Sequence, residues 1–192
     1  MADRVVTLIP ATETVTITYR YTAAEHQQKI DALRAAANEF LSATAEGQSE
    51  GELAKNIYHA LCTRMTYDDS ALVILERKNA YYAYMDGTGV CVTFANVYNQ
   101  LLTQVGIVAT TAQCDYTATM GHVWSYITVD GKQYFCDPTF ELSFQDGAAY
   151  AYFCQTYAQR TEGGFGSGGI TVGRYVPYLV DETMVADTSF PF

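Results

Sequence analysis

The residue of this sequence that is best placed for nucleophilic chemistry is Cys91. It follows a glycine-containing loop at residues 87–89 and opens a stretch in which apolar residues recur every three or four positions, a pattern that predicts an amphipathic helix. Gly106 ends that stretch, where a left-handed C-cap is expected. A thiol in the first turn of a helix faces unpaired N–H groups and the positive end of the helix dipole, and both favour the thiolate. A buried structural cysteine would fit the same position, so the case for chemistry depends on other residues.

Two such residues, His122 and Asp137, lie at the open end of a predicted β-hairpin. A β-branched and aromatic segment follows His122, Asp130-Gly131 is typical of a two-residue hairpin loop, and a return strand ends at Asp137 before a proline. In this register Asp137 lies opposite Trp124 and is a diagonal neighbour of His122 on one face. A slip of one residue would move Asp137 to the other face. The sequence therefore predicts that the imidazole and the carboxylate are neighbours.

Three motifs occur in a fixed order along the chain: Gly89-Val90-Cys91 followed by Phe94-Ala95, then His122-x-Trp124, then Asp137-Pro138-Thr139. Over about residues 49–153, this pattern resembles the transglutaminase-like superfamily, and in particular its small bacterial-type members. The resemblance implies an α+β fold related to that of papain-like cysteine proteases, with helices packed on an antiparallel sheet. It also implies a Cys-His-Asp triad, and Cys91, His122 and Asp137 fall on those positions.

The chain departs from the family pattern at two places. Many members follow the cysteine with Gln-Gly or a similar pair, where this chain has Val92-Thr93. Many have Asn after the tryptophan, where this chain has Ser125. Neither departure removes a member of the implied triad, but both concern the surroundings of the nucleophile and the choice of substrate.

The resemblance implies acyl transfer through a thioester. We expect hydrolysis of a peptide or amide bond, because no Asp-rich calcium loop like that of a calcium-dependent cross-linking enzyme is present. One alternative is acylation of an amine, as in transglutaminases or arylamine acetyltransferases. The other is a non-catalytic module that binds a peptide or the cell wall on the same fold. No cofactor and no metal are expected, since no histidine stands at zinc-ligand spacing from a cysteine.

Two aromatic residues are further candidates for the substrate cleft. Tyr81 belongs to a tyrosine-rich segment before the nucleophile loop, where a hydroxyl could contact the substrate or the oxyanion. Trp124, the one tryptophan of the chain, stands two residues after His122. Core packing is the alternative interpretation of both residues.

Composition restricts the partners and the location. The formal charge of −10 and the pI of about 4.6 oppose binding to nucleic acid or anionic lipid. No apolar run reaches the roughly 18 residues that a membrane helix needs, so no membrane insertion is expected. We expect a protein or peptide substrate. No signal peptide is visible in this chain, whereas 16 tyrosines and few lysines favour a secreted or cell-envelope protein.

The length of 192 residues predicts a single domain. We divide it into an N-terminal strand and helices (1–80), a catalytic core (81–160) and a C-terminal loop and strand (161–192). In the first part, Thr22 with Glu25 and Ser49 with Glu52 are capping boxes that predict the start of a helix. Four cysteines remain besides Cys91, and the sequence leaves open whether they are buried thiols or form disulfides. They are Cys62, Cys114, Cys136 and Cys154.

Overall fold

The computed structural model describes residues 4–9, 14–42, 44, 48–74, 78–114, 121–142, 150–156, 159, 175–176, 186–188 and 190. The helices are α1 (Ala23–Leu41), α2 (Glu50–Arg64), α3 (Ala80–Asp86), α4 (Cys91–Gln104) and α5 (Pro138–Glu141), and a 3-10 helix spans Asp69–Leu72. The strands are β1 (Arg4–Ile9), β2 (Thr14–Tyr19), β3 (Thr66–Tyr67), β4 (Thr88–Gly89), β5 (Ala109–Cys114), β6 (Val123–Val129), β7 (Lys132–Cys136) and β8 (Tyr175–Val176). Within these ranges, we find no helix with the length and apolar character that crossing a membrane requires.

Both predicted capping boxes are confirmed, and they set the starts of α1 and α2. The Thr22 hydroxyl accepts from the Glu25 N–H at 3.2 Å, and the Glu25 carboxylate accepts from the Thr22 N–H at 2.8 Å. Ser49 and Glu52 make the same pair of bonds at 3.3 and 2.8 Å. Each such cap stabilises its helix by about 1 kcal/mol, so these polar residues fix where the two helices begin.

Helix α4 lies at the centre of the fold, as its apolar spacing predicts. Its buried residues share one side of the helix, which packs on β5 and β6 and also contacts α2. The fully buried apolar ones are Phe94, Ala95, Val97, Tyr98, Leu101 and Leu102. Gly106 follows with a φ of 86°, the left-handed conformation expected after a helix C-terminus. This packing fixes the position of Cys91, the first residue of α4.

The main sheet has the strand order β7-β6-β5-β8, and its neighbouring strands are antiparallel. The helices therefore pack on an antiparallel sheet, which confirms the α+β prediction. Asp130 and Gly131 both have positive φ, 51° and 74°, as a two-residue hairpin turn with the twist of its strands requires. Val129 pairs with Lys132, which confirms the predicted register and brings Asp137 to the His122 face.

Some elements were not predicted from the sequence. Strand β1 forms a hairpin with β2. The two-residue strands β3 and β4 pair in parallel, and β4 ends just before Cys91. The sequence also predicts a last strand at residues 170–180; β8 lies within this range and pairs with β5. The sequence also predicts a turn at 116–120 and a glycine-rich loop at 162–169, and both lie outside the described residues.

Candidate active site

Cys91 lies half-buried at the first position of α4, directly after the short β3–β4 pair. Thr93 organises this start, because its hydroxyl oxygen accepts from the Val90 N–H at 3.3 Å. Gly89 is required by close packing here: a Cβ at this position would lie 2.7 Å from the Thr93 Cβ. The loop before Cys91 is thus held against the first turn of the helix.

His122 and Asp137 form a buried pair at the open end of the β6–β7 hairpin. The imidazole Nε2 lies 2.7 Å from Oδ2 of Asp137, and the two residues are only 5% and 0% exposed. A carboxylate accepts hydrogen bonds, so Nε2 carries the hydrogen and Nδ1 is left for the hydrogen bond with Cys91. The predicted contact between imidazole and carboxylate is confirmed, and His122 lies between the thiol and Asp137.

Aromatic rings enclose the imidazole. Phe140 stacks on His122 with ring centroids 4.2 Å apart and an interplanar angle of 7°. Trp124 stacks on it at 5.7 Å and 25°, and is itself only 1% exposed. These apolar faces exclude water from the hydrogen bond between His122 and Asp137, which strengthens it electrostatically.

The electrostatics favour a charged pair. Burial alone would raise the pKa of Cys91, but the hydrogen bond and the charge of His122 lower it below its ordinary value. Hydrogen bonds from the backbone of Val123 and Val92 act in the same direction. Burial alone would lower the pKa of His122, but the charge and hydrogen bond of Asp137, aided by Cys91, raise it to about 9. Both directions favour a thiolate beside an imidazolium over a neutral thiol beside a neutral imidazole.

A cleft of about 260 Å³ opens onto Cys91 and His122. Its wall is largely aliphatic, with side chains such as Leu72 and Val92. Besides His122 and the thiol, the polar side chains among the described residues that line it are Lys78 and Gln113. Gln113 belongs to β5 and pairs with Val123, which follows His122 in the sequence. The cleft can thus hold an acyl group against apolar surface while exposing it to few polar groups.

The structure does not bring the two aromatic candidates into this cleft. Tyr81 is half-buried on α3, where the Lys29 ammonium lies 4.1 Å from its ring centroid, and it is not among the described residues that line the cleft. Trp124 contacts His122 from within the core and also does not line the cleft. Packing against a neighbouring side chain is the observed environment of both residues.

Sequence reasoning missed the buried carboxylate of Glu141. This side chain, 4% exposed, accepts from the Tyr58 hydroxyl at 3.0 Å and from the N–H groups of Ala151 and Tyr152 at 3.2 and 2.8 Å. The Tyr152 carbonyl in turn accepts from the Asp137 N–H at 2.8 Å. Glu141 therefore holds the segment that anchors Asp137. The one signal in the sequence is an acidic residue between Phe140 and Leu142, both apolar.

Among the described residues, no group of three His, Cys, Asp or Glu side chains is arranged to hold a metal ion. His122 and Asp137 are hydrogen-bonded to each other, with Nε2 2.7 Å from Oδ2.

Comparison with known proteins assigns the family. A family model described as the transglutaminase-like superfamily matches residues 34–138, more than half of the 192-residue chain. A comparison with curated proteins found no significant match.

Two solved structures align with this chain. One, described as a TGase, has a TM-score of 0.50 and 14% identity and aligns with 72% of this chain. The other, named a "putative protease" from Parabacteroides distasonis, has a TM-score of 0.43 and 16% identity and aligns with 63% of this chain. This chain spans 44% of the first protein's length and 27% of the second's. On the strength of the family match, this chain belongs to the transglutaminase-like superfamily.

Proposed function

We propose that this protein is a cysteine-dependent enzyme of acyl transfer that hydrolyses a peptide or amide bond. The observation that carries the proposal is the position of His122, whose Nε2 lies 2.7 Å from Asp137 while its other nitrogen is available to Cys91. In this arrangement Asp137 orients the imidazole and stabilises its positive charge. The pKa directions of Cys91 and His122 favour the reactive thiolate.

The reaction begins when the Cys91 thiolate attacks the amide carbonyl carbon. The resulting oxyanion is stabilised by the Cys91 N–H at the start of α4 and by the carboxamide of Gln113, which lines the cleft. His122 then gives its proton to the leaving amine, and a thioester remains on Cys91. With His122 as general base, water attacks the thioester and releases the acid. Attack by an amine instead would give the transglutaminase outcome.

The test is alkylation of the native protein with iodoacetamide at about pH 6, where an ordinary thiol with a pKa of about 8.5 is almost entirely protonated. Labelling is mapped by mass spectrometry in wild type and in His122→Ala. Cys62 is the internal control, because burial raises its pKa and it should react slowly in both proteins.

We expect fast labelling of Cys91 in wild type and a loss of at least about tenfold in His122→Ala, since the imidazolium no longer stabilises the thiolate. Labelling of Cys91 that is as slow as that of Cys62 would reject the enzyme proposal and point to a binding module. With an activated Cys91, amide substrates supplied with and without a primary amine then distinguish hydrolysis from amine acylation.

A further inference from the structure

Lys78 is a charged side chain in the cleft that the proposed chemistry does not use. Of the described residues that line the cleft, it is the one with a permanent charge, apart from the Cys91–His122 pair. The thiolate and the imidazolium cancel, so Lys78 leaves the cleft with one net positive charge. The whole chain has the opposite balance, with 11 basic and 21 acidic residues.

The backbone of Lys78 is tied to the nucleophile. The Thr93 hydroxyl, which accepts from the Val90 N–H, donates to the Lys78 carbonyl at 3.5 Å. Thr93 is completely buried in the first turn of the helix that Cys91 begins. One buried side chain therefore ties the backbone of Lys78 to the start of α4.

The ammonium group of Lys78 is available to a ligand. The side chain is half-buried, and Lys78 forms no salt bridge with any residue in the described part of the chain. An ammonium on a four-carbon stem can move within the cleft and binds an anion as a point charge. Aliphatic side chains such as Val92 also line the cleft, and a less polar lining strengthens the attraction of an anion.

We propose that Lys78 determines specificity by binding a carboxylate that the acyl substrate carries close to the scissile amide. This inference rests on the proposed function of the cleft and adds the class of substrate: a peptide or amide with a free carboxylate next to the reacting carbonyl. At longer range the acidic surface repels such a substrate. The local charge of Lys78 therefore selects anionic substrates at the cleft itself.

Two alkylating reagents test this without knowledge of the natural substrate. Iodoacetate and iodoacetamide both alkylate the thiolate: an S–CH₂ bond forms, the C–I bond breaks and iodide leaves. Only iodoacetate carries a carboxylate. The quantity measured is the ratio of their rates at Cys91, followed by mass spectrometry. It is compared in wild type, Lys78→Met, Lys78→Arg and Lys132→Met. Lys132 is a matched control, since it lies on β7, 55% exposed, with Asp187 at 4.0 Å.

We expect Lys78→Met to lower the iodoacetate-to-iodoacetamide ratio by about three- to tenfold, the effect of removing one charge several ångströms from the reagent's carboxylate. Lys78→Arg should keep the ratio, and Lys132→Met should leave it unchanged. Added salt should reduce the ratio in wild type more than in Lys78→Met. Lys78→Gln replaces Lys78→Met if the latter does not fold, as judged by circular dichroism.

An unchanged ratio in Lys78→Met, with Cys91 still reacting fast, would overturn the role of Lys78 alone. An equal fall in Lys132→Met would overturn it as well, because the effect would then come from the overall charge. Slow reaction of wild-type Cys91 with both reagents would instead reject the proposed function, and the substrate class with it.

Discussion

Replacing Glu141 with glutamine tests whether this buried carboxylate positions Asp137, without changing Cys91, His122 or Asp137 themselves. The two carboxylate oxygens accept from Tyr58, Ala151 and Tyr152 at 3.0, 3.2 and 2.8 Å. A glutamine has one oxygen, so its NH₂ group must face at least one of these donors. With the oxygen placed at the Oε2 position, the Tyr58 and Tyr152 bonds are kept and the Ala151 N–H is left without an acceptor. Glu141→Gln should therefore weaken the fold and loosen the segment that anchors Asp137.

The expected cost follows from those bonds. One buried donor without a partner costs about 1–3 kcal/mol, and the remaining bonds lose their charge assistance. We expect the free energy of unfolding to fall by about 2–4 kcal/mol, measured by urea titration. The Tyr152 carbonyl accepts from the Asp137 N–H at 2.8 Å, so a loosened Tyr152 should let Asp137 move. Asp137 would then hold the imidazole of His122 less firmly in its orientation. We expect alkylation of Cys91 at about pH 6 to slow by about three- to tenfold, which corresponds to about 1 kcal/mol.

Two controls make this result interpretable. Tyr58→Phe removes a single donor, should cost about 1 kcal/mol, and should leave the alkylation rate close to that of wild type. Leu61→Ala removes a fully buried side chain of α2, should cost about 2–5 kcal/mol, and should also leave the rate unchanged. An alkylation profile in Glu141→Gln that matches wild type across pH, despite lower stability, would refute the positioning role and leave Glu141 a structural residue.

Two further changes test the site directly. Gln113→Ala should lower the turnover of an amide substrate by about 10²-fold if its carboxamide stabilises the oxyanion, while iodoacetamide alkylation of Cys91, which forms no oxyanion, stays unchanged; equal losses in both assays would contradict the assignment. Asp137→Asn concerns pH. Although burial opposes it, Asp137, aided by Cys91, raises the pKa of His122 from 6.5 to about 9, so the interaction of His122 with Asp137 stabilises the fold fully below about pH 6.5 and less as the pH rises through about 9. The difference in unfolding free energy between wild type and Asp137→Asn should therefore shrink over that range, and a constant difference would exclude the charged pair.

The sequence predicted those parts of the site that follow from local rules. The contact between His122 and Asp137 follows from one turn, because Asp130-Gly131 fixes the hairpin register and the register fixes the face of each strand residue. The position of Cys91 follows from the apolar spacing of α4 and from Gly106. Both are local signals in which few residues determine the geometry.

The parts that were missed depend on contacts between distant segments. Glu141 accepts a hydrogen bond from Tyr58, which lies 83 residues earlier in the sequence. No local sequence pattern predicts such a pair. The backbone carbonyl of Lys78 accepts from the Thr93 hydroxyl in the first turn of α4. The sequence shows only a lysine in an irregular stretch. Tyr81 illustrates the opposite case: its type suits a cleft, but α3 directs it to Lys29.

Asp137 shows why fold and proposed chemistry are difficult to separate in this site. Its Oδ2 lies 2.7 Å from the imidazole, while its Oδ1 accepts from the Phe140 N–H at 3.1 Å and caps α5. The same helix carries Phe140, which stacks on the imidazole, and Glu141, which fixes the acceptor of the Asp137 N–H. An alanine at 137 would remove the cap together with the ion pair, so a loss of activity would have two causes. An asparagine keeps an oxygen for the cap, but its NH₂ group then faces Nε2 of His122. It therefore removes the charge and the hydrogen bond to the imidazole while leaving the cap in place, and for that reason it separates the interaction with His122 from the support of α5.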